Sequence, residues 1–262
     1  MIKIFYSGNF YLNKIYSKDK QICLASTDSD ILNTYGIIYS EDISLVKNSK
    51  TSSYYINENN DTENIVLQLY YVDENDKLLV WDDEKLQDTY KWLVSEDFLP
   101  FISEDNMNLT YYIKAIKIVK KFNYQFKGYL EVTFKPFSSY AYREYIKPVV
   151  VNGTRNLYMY NYSNVEHDYR PIFEIENLGD ESSIISIKNT KINTNAFEIS
   201  GIQKNQKVFI DMLTGVVQDI ETGENLMSKC NRKWFKMSES GCDVELKGNF
   251  KMVLKAQFPI LV

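Results

Sequence analysis

Period-two patterning is the feature that most constrains this chain. In residues 129–134, Leu130, Val132 and Phe134 share one face of an extended backbone. Residues 111–118 read Tyr-Tyr-Ile-Lys-Ala-Ile-Lys-Ile; they alternate and then slip phase at Ala115-Ile116, as a β-bulge does. Asn123 stands between the two runs, so they form a predicted hairpin. Short runs with turn signals between them recur downstream at 157–162, 171–176, 183–188, 196–200, 207–211 and 216–218. Thr214-Gly215 and Thr222-Gly223 are hairpin-type turns. Phe250, Met252 and Leu254 alternate in the closing run 249–262, which should be tied into a sheet. The 21 Tyr and 14 Phe suit pleated, half-buried surfaces, and alanine is scarce. The expected class is all-β with one or two short helices, the second half a sandwich or jelly roll.

One segment breaks the period. Leu86, Tyr90, Leu93 and Val94 fall on one face of a helix, which predicts a helix over 83–95 capped by Asp82 and Asp83. Residues 65–72 form a continuous apolar run and read as a strand buried on both faces. Residues 3–6 and 35–39 read as short strands, 17–34 as polar and irregular, and 47–64 as a polar loop or arm. Pro136 and Pro148 bracket residues 137–143. The boundary is placed there, giving domains 1–138 and 139–262.

Chemical motifs are sparse. His167 is the single histidine, in a polar segment, and reads as a loop residue; multi-histidine metal motifs are thereby excluded. Cys23, Cys230 and Cys242 are odd in number and form no CxxC pair, which argues against a disulfide framework or an ordinary zinc site. Acidic neighbours such as Asp82-Asp83-Glu84 and Glu104-Asp105 read as turns or helix starts. Asp73-Glu74-Asn75-Asp76 and Asp28-Ser29-Asp30 lack the glycine and terminal glutamate of a helix-loop-helix calcium site. No cofactor is expected. The net charge is -5 and the lysines are interspersed with acids, which predicts no nucleic-acid recognition. Residues 1–15 lack an apolar core, so no signal peptide is expected, and no run approaches a bilayer span. Tyr158, Tyr160 and Tyr162 alternate; the row reads as sheet packing, with an aromatic interface as the other reading.

Several pieces, in order, resemble the distal tail protein family of long-tailed phages. They are the strand and corner from Gly128 through Pro136, Tyr140 and Tyr142, and Tyr169-Arg170-Pro171 opening a strand. Then come Val208-Phe209-Ile210-Asp211 with Gly215, Gly223-Glu224-Asn225-Leu226-Met227, and finally Trp234-Phe235 with Gly241. Trp92, Phe98 and Phe101 also resemble the first domain of that family. The resemblance covers about residues 80–262; residues 1–60 lack the family's glycine-rich opening.

The resemblance implies an N-terminal β-sandwich or split-barrel domain that forms a ring, usually hexameric, at the end of the tail tube. It implies a C-terminal galectin-like β-sandwich projecting outward. The implied partners are further copies of the chain, the tail tube protein, the tail-associated or tail-tip protein and, in some relatives, receptor-binding proteins. Assembly in the host cytoplasm and residence in a virion or phage-tail-like particle follow, without catalysis. Arm 47–64 becomes the candidate assembly contact. The alternative is a carbohydrate-binding β-sandwich of a virion or cell surface, since fold likeness to galectins does not itself carry sugar binding.

Overall fold

The structure, a computed structural model, describes residues 8–24, 43–46, 54–57, 64–165, 168–192 and 196–261, with the backbone alone for 43–46 and 54–57. His167, the strands expected at 3–6 and 35–39 and most of arm 47–64 lie outside these residues. The chain divides into two compact units, residues 1–141 with 261–262, and residues 142–260.

In the first unit the strands are β1 (Phe10–Leu12), β2 (Ile15–Tyr16), β3 (Ile22–Leu24), β4 (Ile43–Val46), β5 (Tyr54–Asn57), β6 (Ile65–Tyr71), β7 (Leu99–Ser103), β8 (Tyr111–Phe122) and β9 (Gly128–Pro136). The helix α1 (Asp83–Leu93) lies between β6 and β7. Seven strands make one sheet in the order β2-β1-β7-β8-β9-β6-β3, and β4 pairs with β5 separately. Two readings from the sequence are corrected here. Ile22–Leu24 pairs with β6 although its surroundings are polar, because three residues suffice for an edge strand. Tyr54–Asn57, inside the expected arm, pairs antiparallel with Ile43–Val46.

Cross-strand register sorts the side chains of this sheet. Leu67, Val132 and Ile118 face one way together, as do Leu69 with Leu130 and Ile65 with Phe134. That face is the core, and α1 closes it: Leu86, Trp92 and Leu93 are buried, and Trp92 stacks on Phe10 at 5.6 Å. On the other face Val66 is 38% exposed but Gln68 is buried, so the run 65–72 is buried on both sides at Leu67–Leu69 and opens at Val66. Asp82 caps α1 by accepting a 2.7 Å hydrogen bond from the Lys85 backbone N–H. Val94 leaves the helical path at φ -91, ψ 123 and is 58% exposed, so it drops out of the predicted apolar stripe. The bulge falls where the phase slips: pairing shifts between Ala115 and Lys117. At the hairpin tip, Asn123 Oδ1 accepts from the backbone N–H groups of Gln125 and Lys127. The tip closes on Gly128 at φ +153, where an added Cβ would stand 2.0 Å from the Lys121 carbonyl oxygen.

The second unit contains β10 (Ala141–Met159, its first residue falling in the first unit), β11 (Ile172–Asn177), β12 (Ile185–Asn189), β13 (Phe197–Ile199), β14 (Lys207–Asp211), β15 (Val217–Asp219) and β16 (Cys242–Ile260). They hydrogen-bond in the order β13-β12-β16-β11-β14-β15, with β10 also on β16. The 19-residue β16 is the spine: Val244–Lys247 pair with β12 and Phe250–Lys255 with β11. It starts earlier than the alternation at Phe250 indicated. β10 continues through Pro148 and folds back around Asn152-Gly153, with Gly153 at φ 81, so that Lys147 Nζ donates to the Tyr158 carbonyl and Arg155 Nη1 to the Val150 carbonyl, each at 2.7 Å; β10 also pairs with β16. The core includes Phe173, Phe197, Ile210, Met237, Leu246, Phe250 and Phe258. Buried Asn177 holds the loops at one end, donating 2.7 Å to the Ile202 carbonyl and accepting from Gly179 N–H.

Candidate functional site

The residues marked by the family resemblance resolve into fold-making clusters. Trp92 and Phe101 meet through Phe10, which stacks on both, and Trp92 Nε1 donates to the Leu12 carbonyl at 3.2 Å. Phe98 packs edge-on to Phe137 at 5.4 Å, just past buried Pro136. Tyr140 and Tyr142 are half-buried, and the Tyr140 backbone N–H donates to Ser138 Oγ. Pro171 is buried immediately before β11, and its carbonyl accepts from the Met212 N–H.

Asp211, Gly215, Gly223, Asn225 and Trp234 belong to two copies of one turn. The sequence repeats Asp-x-x-Thr-Gly at 211–215 and 219–223. In each copy the aspartate Oδ1 accepts two backbone N–H groups, those of Leu213 and Thr214 or of Glu221 and Thr222. In each copy the glycine N–H closes on the aspartate carbonyl, at 2.9 and 3.0 Å, with the glycine at positive φ. Trp234 lies over Gly215, so that a Cβ there would stand 3.0 Å from its ring. Gly223 faces open space, and Asn225 accepts from the Met227 N–H. Asp219 is buried and also accepts from Gln206; the Thr222 backbone N–H first, then Gln206, holds its carboxyl at about 2. The repeat was visible in the sequence, and its eight-residue period is the signal that predicts twin turns.

Two surfaces have features beyond fold-making. The first is the tyrosine row of the second unit. β10 ends at Met159, which is buried, while Tyr160 is 50% exposed. Tyr158 packs edge-on to Tyr160 at 4.8 Å, and Tyr160 stacks on Tyr162 at 5.7 Å. The Arg143 guanidinium lies 4.3 Å from the Tyr162 ring centre and Lys191 lies 5.1 Å from that of Tyr158. Tyr162 and Tyr145 also pack on Phe258, so the row is half sheet packing and half exposed aromatic surface. Burial, with Tyr162 and Tyr160 adding to it, pushes the Tyr145 hydroxyl above its ordinary value. Gly241 passes beneath; a Cβ there would lie 2.2 Å from the Met159 carbonyl oxygen.

The second surface is the β8–β9 hairpin. Its tip exposes Tyr124 (88%) and Phe126 (61%). Strand pairing sets Lys114, Lys117, Lys121 and Lys135 on one face of the hairpin, a local grouping that spacing along the chain does not show. Between Tyr111 and Pro136 stand six lysines and one carboxylate, Glu131. Elsewhere, the exposed face of the second sheet balances its charges: Lys255–Glu174 at 2.7 Å and Lys251–Glu176 at 3.2 Å. Among the described residues, no group of three His, Cys, Asp or Glu side chains is placed to hold a metal ion. No helix among them is long and apolar enough to cross a membrane.

These features define a two-unit, largely β protein whose distinctive chemistry lies in exposed aromatic and charged surfaces. Residues 5–138 match the family model described as phage tail protein N-terminal domain, which is more than half of the chain, and the chain belongs to that family. In fold it is similar to SPP1 Dit (gp 19.1), whose crystal structure is described as a paradigm of the hub adsorption apparatus in Gram-positive infecting phages. The TM-score is 0.62 at 8% identity, over 95% of this chain and 98% of that one. Two baseplate structures of phage P2 in the activated conformation, with Ca and with Sr, give TM-scores of 0.48. Their identities are 10% and 9%, over 92% and 95% of this chain and 92% and 97% of theirs. No curated protein matches the sequence.

Proposed function

We propose that this tail protein is a distal tail protein. It forms a ring, hexameric in the family it resembles, at the far end of the tail tube and joins the tube to tail-tip or receptor-binding proteins. One observation carries the reading: the tail-protein match over 5–138 lies within a fold that follows SPP1 Dit along nearly its whole length. The action is mechanical. Cyclic symmetry brings one surface of each subunit onto a different surface of the next. The second unit is the galectin-like module that projects outward, and domains 1–138 and 139–262 divide these tasks. Subunits fold and assemble in the host cytoplasm before joining the particle, and segment 47–64 is the candidate assembly contact.

Disrupting the gene in the producing phage tests this. The expected particles are heads with tails arrested before the tip is complete. Complete tails with normal tips would contradict it. A second reading, saccharide binding by the second unit, is favoured by the exposed tyrosine row beside Arg143, because aromatic faces stack on sugar rings. A glycan array with the full chain distinguishes it: selective binding lost in Tyr160→Ala supports the lectin reading, and a blank array rejects it.

A further inference from the structure

We propose that the outer face of the β8–β9 hairpin docks a second copy of this chain, and that its occupant is the acidic helix side of the neighbouring subunit. The proposal rests on the ring reading above and adds to it the surfaces that meet.

The first observation is an unbalanced sheet face. Lys117 pairs with Thr133, Lys121 with Tyr129 and Lys114 with Lys135. These positions face away from α1, because their neighbours along the strands, Ile118 with Val132 and Ala115 with Phe134, face the core. Lys120 confirms the alternation: it lies on the helix side, 5.8 Å from the Tyr90 ring centre. Lys114 and Lys135 are like charges set directly opposite, an arrangement that destabilises an isolated sheet, and the Lys114 ammonium is drawn to the Glu96 carbonyl at 2.5 Å. Among the described residues, the one carboxylate paired with these lysines is Glu131, 4.0 Å from Lys121. The bulge adds Ile116, 50% exposed, to the middle of the same strand. A face of this kind costs stability alone and gains it when a counter-charged surface covers it.

The second observation supplies that surface. Residues 73–105 contain eleven carboxylates and three lysines. Glu74, Asp76, Asp82, Asp83 and Glu84 are exposed. Asp83 and Glu84 form the first turn of α1, which packs on the core face, so they lie on the other side of the sheet from the lysines. One unit therefore carries two unlike faces of opposite sign on its two sides. That is the requirement for a head-to-tail contact that repeats around an axis. Opposite potentials also steer encounter and fix register. A nucleic acid fits the basic face but leaves the acidic one without a role, whereas a second copy uses both.

The test uses the full chain in three forms: wild type, Lys117→Glu/Lys121→Glu, and Asp83→Lys/Glu84→Lys. Mass photometry reads assembly, and circular dichroism checks the fold of each form. Wild type is expected to form closed oligomers, weakened roughly tenfold between 50 and 500 mM salt as screening shortens. Each variant alone is expected to stay monomeric. An equimolar mixture is expected to recover the oligomer, because each reversed face then meets a reversed partner; a misfolded variant gives no such rescue. If a reversal unfolds the chain, Lys117→Gln/Lys121→Gln and Asp83→Asn/Glu84→Gln replace it, and both are expected to weaken assembly at least threefold. Variants that assemble like wild type overturn this interface and leave the ring reading intact. A wild type that is monomeric throughout overturns both. Duplex DNA binding by a monomeric wild type, lost in the lysine variant, assigns the face to nucleic acid and overturns the proposal.

Discussion

Replacing Trp92 tests how the helix is held to the first sheet. The indole is buried, stacks on Phe10 at 5.6 Å and donates to the Leu12 carbonyl at 3.2 Å. Truncating a buried tryptophan to alanine typically costs about 3–5 kcal/mol in lost transfer energy and residual cavity. Removing the indole donor adds about 1 kcal/mol. Trp92→Ala should therefore lose about 4–6 kcal/mol, a quarter or more of the roughly 5–15 kcal/mol that a domain ordinarily has. Trp92→Phe keeps a ring against Phe10 and forfeits the donor and part of the volume, so its loss should be about 1–2 kcal/mol. Hydrogen exchange with mass spectrometry, followed through a urea series on peptides from Leu99–Ser103 and Tyr111–Phe122, reads the first unit directly. A Trp92→Ala loss below about 1 kcal/mol would refute the claim that this side chain anchors α1. Equal losses for the two variants would refute the separate role of ring and donor.

Two further outcomes follow from the turns. Gly128→Ala should prevent the β8–β9 hairpin from closing, since its Cβ would meet the Lys121 carbonyl oxygen at 2.0 Å on a backbone at φ +153; soluble expression with unchanged amide protection at the hairpin would contradict this. Asp219 has its folded carboxyl lowered from 3.8 to about 2, so the unfolded chain takes up this proton first as pH falls. Its contribution is complete above about 4 and is lost as pH falls towards 2, so Asp219→Asn should flatten that part of the acid limb of the stability curve, and an acid limb identical to wild type would rule the contribution out.

The elements legible in the sequence were those whose cause is local. Leu130, Val132 and Phe134 name their face by alternation, Asp82 caps the helix it precedes, and the phase slip at Ala115-Ile116 marks a real bulge. What stayed hidden depends on partners distant in sequence. β3 is a strand because Tyr71, Tyr70 and Leu69 lie beside it, and β10 continues through Pro148 as part of a strand that pairs with the distant β16. The lysines of β8 and β9 are spread along the chain; only the register shows that Lys114, Lys117, Lys121 and Lys135 share one face while Lys120 turns to the other. The signature residues were recognisable by type and order, yet Trp234 and Gly215 become one feature only when the ring is seen over the turn. Function was legible through resemblance, because an assembly protein concentrates no reactive groups that spacing would reveal.

Electron microscopy of particles from the producing phage, labelled with antibody to this chain, tests the central claim most directly. The expected result is label confined to the distal tip of the tail tube. Label along the tube, at the head, or on cells that produce no tail-like particles would contradict it.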